Sequence, residues 1–95
     1  MIHVIETLEA LPEKTEELKK ALLAIVPLSR QEKGCISYEL FQVHETPDQF
    51  AVIMCWKDLK SFERHNSALF IQEFVENFEQ ILYHKVVETL YKKLD

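Results

Sequence analysis

The stretch Phe50–Phe70, FAVIMCWKDLKSFERHNSALF, contains a change of period that decides the fold. Its first eight residues are a β-forming run, with Phe50, Val52, Met54 and Trp56 on one parity and Ala51, Ile53, Cys55 and Lys57 on the other. Asp58 then offers a carboxylate to the free N–H groups of a helix start, and the pattern predicts a helix to about Asn66. Phe62 and His65 lie three residues apart, so they share a face of that helix. An indole and an imidazole therefore meet where a strand passes into a helix, at the edge of an apolar core.

Upstream, Cys35–Val43 reads as a partner strand, with Ile36, Tyr38 and Leu40 on one parity and Cys35, Ser37, Glu39, Phe41 and Val43 on the other. The connector His44–Gln49 is polar and carries the turn-forming pair Pro47-Asp48. It is too short for a crossover, so the two strands should form an antiparallel hairpin. On these parities Cys35 and Cys55 share a face and could be neighbours across the hairpin. Both faces carry many apolar side chains, whereas a sheet wet on one side alternates more cleanly.

Residues 2–9 read as a first strand, ended by Leu11-Pro12-Glu13. From Thr15 the period becomes helical, with Leu18, Leu22, Ile25 and Ser29 in one stripe, Ala21 and Leu28 beside it, and acidic residues in the first turns, where the helix dipole favours them. Pro27 should kink the last turns. Glu32-Lys33-Gly34 ends the helix on the only glycine of the chain. Downstream, Ser67 can cap a further helical segment bearing Phe70, Phe74 and Phe78. From Tyr83 the pattern returns to period two for a final strand.

The element order predicts an α+β, ferredoxin-like βαββαβ domain over 1–95, a four-stranded antiparallel sheet with its helices on one face. The uncovered face then needs a partner, and a homodimer packing sheet on sheet supplies one. A domain of 95 residues also gains from such a partner, because small chains bury a smaller share of their surface.

Composition narrows function. The net charge is −5 and the 11 basic residues are scattered, which argues against a nucleic-acid partner. The two cysteines form neither a disulfide framework nor a metal motif, and no histidine pair has metal-ligand spacing. One glycine excludes a phosphate-binding glycine loop. The start MIHVIETLEA lacks a secretory pattern and no apolar run is long enough for a bilayer, so the expectation is a cytoplasmic protein with no membrane partner.

His65 is the candidate catalytic residue: a helix histidine facing the sheet can accept a proton, although a lone histidine usually serves structure. Trp56, Tyr38, Phe62, Phe70, Met54 and Phe74 would line an aromatic cavity beside it, or else simply fill the core.

These residues carry a resemblance. The chain resembles the antibiotic biosynthesis monooxygenase family, dimeric α+β barrels of ferredoxin-like subunits, over nearly its whole length. Glu32-Lys33-Gly34-Cys35-Ile36-Ser37-Tyr38 is similar to the family's Glu-x-Gly-Cys-x-x-Tyr pattern, and Trp56-Lys57-Asp58 followed by Phe62, His65, Ser67 and Phe70 is similar to its strand–helix segment. The resemblance implies a monooxygenase that oxidises a small aromatic, quinol or polyketide-like substrate with dioxygen and without metal, flavin or other cofactor. It also implies that His65 is the base or orienting group and that Trp56 and Tyr38 are pocket walls. The chain departs from the pattern at Met54, where the family has glutamate, and at Leu69, where it has a second histidine. Those losses keep open a non-catalytic small-ligand-binding dimer or an isomerase-like member of the same fold.

Overall fold

The computed structural model describes residues 1–95. Strand β1 (Ile2–Glu9) leads to helix α1 (Thr15–Arg30), then the hairpin β2 (Cys35–Gln42) and β3 (Gln49–Trp56). Helices α2 (Leu59–Ser67) and α3 (Leu69–Phe78) follow, then a short 3-10 turn (Glu79–Ile81) and strand β4 (Val87–Tyr91). The sheet runs β2-β3-β1-β4, with every neighbouring pair antiparallel. This is the expected ferredoxin-like order.

One face of the sheet carries the core. Val4, Leu8, Tyr38, Phe50, Val52, Met54 and Trp56 meet Leu18, Leu22, Ile25 and Val26 of α1 and Phe62 of α2. The α1 stripe recurs at three- and four-residue spacing, so one helix surface closes over the middle of the sheet. Each large side chain removed from water there contributes about 1.5–3 kcal/mol of transfer free energy. Helix α3 is held more loosely; none of its residues is fully buried, although Phe70, Ile71, Phe74 and Phe78 rest against the core.

Three local features differ from the sequence-based expectation. A bulge between Cys35 and Ser37 sets Cys35 opposite Trp56 and Ser37 opposite Cys55. The extra residue reverses parity, so Cys35 packs against the core whereas Ile36 is 51% exposed. The two cysteines are thus not cross-strand partners, and both are free thiols. Ser67 does not cap α3: its hydroxyl donates to the Glu63 carbonyl at 3.0 Å, and Ala68, in extended conformation, separates the two helices. Glu13 takes a positive φ of 73° in the turn after β1, alongside the anticipated Gly34 at 88°.

The termini of the helices fix how the site is approached. Asp58 accepts hydrogen bonds from the Ser61 amide at 2.8 Å and the Ser61 hydroxyl at 2.7 Å, which caps α2. These bonds hold the Asp58 carboxyl below its usual range. At the other end of the same junction, the Lys57 amide donates to the Gly34 carbonyl at 2.8 Å. That bond ties the start of β2 to the end of β3. No helix is long and apolar enough to cross a membrane.

Candidate active site

The capped helix α2 delivers His65 inward. Its side chain is 3% exposed, and its ring lies 4.7 Å from the Trp56 ring, 5.5 Å from Tyr38 and 6.1 Å from Phe70, centroid to centroid. Nδ1 is 2.5 Å from Glu32 Oε1, in the turn after α1. A carboxylate only accepts, so this contact places a proton on Nδ1, and in the neutral ring Nε2 is then the nitrogen with the lone pair. Nε2 has no hydrogen-bond partner within the protein. Glu32 and Gly34, two residues apart in the same turn, have different tasks: the first orients the imidazole and the second lets the chain turn back into β2.

His65 opens onto a cavity of about 390 Å³ between the helices and the sheet. Leu8, Leu22, Ile25, Ile71, Phe74, Val75 and Val86 supply apolar wall, and Tyr38, Asn66, Glu6 and Glu88 join His65 as its polar groups. Such a mostly apolar space with a few convergent polar groups is the usual form of a small-molecule site.

Glu6 was not singled out in the sequence. It lies on the core parity of β1 between Val4 and Leu8, and its register partner on β4 is Glu88. Burial first, then the hydrogen bond and negative charge of Glu88, push the Glu6 carboxyl up to about 9. No lysine, arginine or histidine forms an ion pair with either carboxyl. Burial, with the charge of Glu6 next, likewise raises the Tyr38 phenol, which the nearby Ser29 hydroxyl partly offsets. Tyr38 is therefore a neutral phenol across the ordinary pH range. The missed signal was visible: one carboxylate interrupts Ile2, Val4 and Leu8 on an otherwise apolar parity.

The other anticipated wall residues divide. Phe74 and Tyr38 line the cavity. Met54, Trp56 and Phe62 are core residues lying behind it, and Trp56 Nε1 is buried without a hydrogen-bond partner. Phe70 faces the groove between α1 and α3 while its ring edges His65. Leu69 is largely exposed on the outside of α3. No three His, Cys, Asp or Glu side chains converge to hold a metal ion.

The fold and this histidine-centred cavity define a class of small α+β proteins with monooxygenase relatives. Residues 1–77 match the family described as antibiotic biosynthesis monooxygenase, and the chain belongs to that family. It is 30% identical over 82 residues to "Putative monooxygenase YcnE" of Bacillus subtilis, covering 86% of each chain. Among solved structures, PA3566 from Pseudomonas aeruginosa is 31% identical over 99% of this chain and 94% of that one, with a TM-score of 0.93. A family protein from Nitrosomonas europaea shares the fold at a TM-score of 0.95 and 19% identity, with both chains fully covered.

Proposed function

We propose that this protein is a cofactor-independent monooxygenase acting on a small aromatic, quinol or polyketide-like hydroxy compound, with His65 as the base. The observation that supports this most is the oriented imidazole: Nδ1 is held by Glu32, and the unpartnered Nε2 belongs to a residue lining an apolar cavity. Nε2 accepts the hydroxyl proton of the bound ring. The resulting phenolate is electron-rich enough to pass an electron to dioxygen, and recombination forms a carbon–oxygen bond. One oxygen atom stays on the ring, giving a quinone, and the other leaves as water, so the phenol and dioxygen are the only reactants. The chain's own contribution is to bind the ring, take the proton and exclude water. Tyr38, Phe74 and Ile71 provide the walls, while Trp56 and Phe62 back the imidazole.

The working unit in this reading is a cytoplasmic homodimer joined through the open sheet face. That face carries Ile5, Phe41, Ile53, Val87 and Tyr91, and Phe41, Val87 and Tyr91 are about half exposed in the single chain. An apolar sheet face of this kind marks an interaction surface.

Oxygen uptake by the purified protein with a panel of hydroquinones and naphthols tests the activity. Uptake with at least one of them, lost in His65→Ala, is the expected result. Binding without any uptake would instead make the protein a small-ligand binder.

A further inference from the structure

The open face of the sheet, on the side away from His65, carries a cluster of soft donor atoms that the proposed reaction does not use. His3 of β1 and Cys55 of β3 are register partners on its outer parity, one pair in from the end of the β1–β3 ladder. The Cys55 sulfur lies 4.0 Å from His3 Nε2 and 4.0 Å from the Met1 sulfur. A thioether, a thiol and an imidazole thus come together from the start of the chain and the far end of β3. Neither Met1 nor His3 makes any other side-chain hydrogen bond.

A thiol is a weak donor, so contacts of 4.0 Å hold these groups only loosely by themselves. The same distance is close to the edge of a trigonal metal centre. Metal–sulfur bonds of about 2.3 Å and a metal–nitrogen bond of about 2.0 Å, set about 120° apart, separate their ligand atoms by about 3.7–4.0 Å. The donor types then select the ion. Zinc is held by thiolate, imidazole and carboxylate, whereas a thioether beside a thiolate suits copper(I). No aspartate or glutamate joins His3 and Cys55 to make a harder set. Charge points the same way. Copper(I) displaces the Cys55 proton, which leaves to solvent, and the ion and thiolate together are neutral. A divalent ion would leave a net positive charge at a sulfur whose residue is 6% exposed, on a face continued by Ile5 and Ile53. Met1 is largely exposed, so its flexible side chain covers the thiol from the solvent side and leaves the ion a way in.

We infer that Met1, His3 and Cys55 form a copper(I)-binding site on the open face of the sheet, complete within one chain. It lies across the sheet from the His65 cavity and supplies nothing to the reaction there, so the two readings stand or fall separately.

Anaerobic competition with bicinchoninate, which forms a coloured copper(I) complex, tests this. The intact protein should withdraw one copper(I) per chain from that complex. X-ray absorption at the copper edge should then show two sulfurs at about 2.3 Å and one nitrogen at about 2.0 Å. Cys55→Ser should abolish the withdrawal, whereas Cys35→Ser, which removes the only other thiol, should leave it unchanged. His3→Ala should weaken binding by more than about 100-fold, since even the loss of an outer-shell partner costs about 10–100-fold. No withdrawal by the intact protein, a shell of sulfur alone, or binding that survives Cys55→Ser overturns the inference. Zinc bound as tightly as copper(I) overturns it too, because the soft donors would then select nothing. The absorption measurement uses the intact protein and decides the matter even if a substitution prevents folding.

Discussion

At the scale of single residues, His65 and Glu6 illustrate two ways in which a small core tolerates a polar group. His65 is buried but oriented: Glu32 takes one nitrogen and the aromatic rings of Trp56 and Tyr38 fix the plane. Removal of a positioned general base typically costs 10²–10⁴-fold in rate. Accordingly, His65→Ala should lower the initial rate of oxygen uptake by about that factor, with a smaller change in naphthol affinity. Glu6 is half-buried beside a like charge, and its carboxyl is raised from 4.5 to about 9. Between those pH values the folded chain holds a proton that the unfolded chain has released. Stability linked to Glu6 is therefore fully present below pH 4.5 and is lost progressively as pH rises towards 9. Glu6→Gln should flatten this slope and raise stability at pH 8 by about 1–3 kcal/mol, less than the full shift implies because the group is partly open to cavity water. Urea midpoints measured from pH 5 to 9 for both proteins check it, and parallel curves would contradict the assignment.

Much of the arrangement of elements was readable from period alone. The alternation of Phe50, Val52, Met54 and Trp56, followed by Asp58 and the spacing of Phe62 and His65, defined β3, the cap and α2. The β2 bulge was not readable, because Cys35-Ile36-Ser37 alternates as smoothly as a regular strand. Its cause is tertiary: the turn from α1 at Gly34 must bring Cys35 against Trp56 and still place Tyr38 beneath His65. The break between α2 and α3 was readable, but its cap falls one residue later, at Ala68, since Ser67 is a better cap in isolation but bonds back within α2 instead. Gly34 shows what the turn demands. Its φ is 88°, and a Cβ built there would stand 2.5 Å from Ser61 Cβ. Gly34→Ala should therefore destabilise the fold by about 1–3 kcal/mol and displace the start of α2. Thermal unfolding would reveal this; an unchanged midpoint would mean that the turn relaxes without cost.

For the whole molecule, the fold class followed from the order of elements, and the dimer proposed to cover the sheet's second face rests on its two-sided apolarity. The cavity's polar partners were less legible. Glu6 and Glu88 are 82 residues apart in sequence, and only the pairing of β1 with β4 makes them neighbours. Glu32 was noted as the end of a helix, and its contact with His65 depends on how α1 and α2 dock on the sheet. In the proposed dimer, Ile53 sits near the centre of the open face on β3. Placing a charge there should weaken association by about 100-fold or more, as at other interface centres. Sedimentation of Ile53→Glu should accordingly give a monomer, whereas an unaltered dimer would assign the interface elsewhere.

In the proposed function, His65 presents an unprotonated Nε2 to the ligand while Glu32 holds the proton on Nδ1. Nitrogen NMR of the ¹⁵N-histidine-labelled protein, titrated with 2-naphthol, measures it most directly. The predicted result is a His65 signal pair with Nδ1 protonated and Nε2 bare in the free protein, with the Nε2 signal moving towards the protonated position as ligand binds. A proton on Nε2 in the free protein, or an Nε2 signal indifferent to saturating ligand, would contradict it.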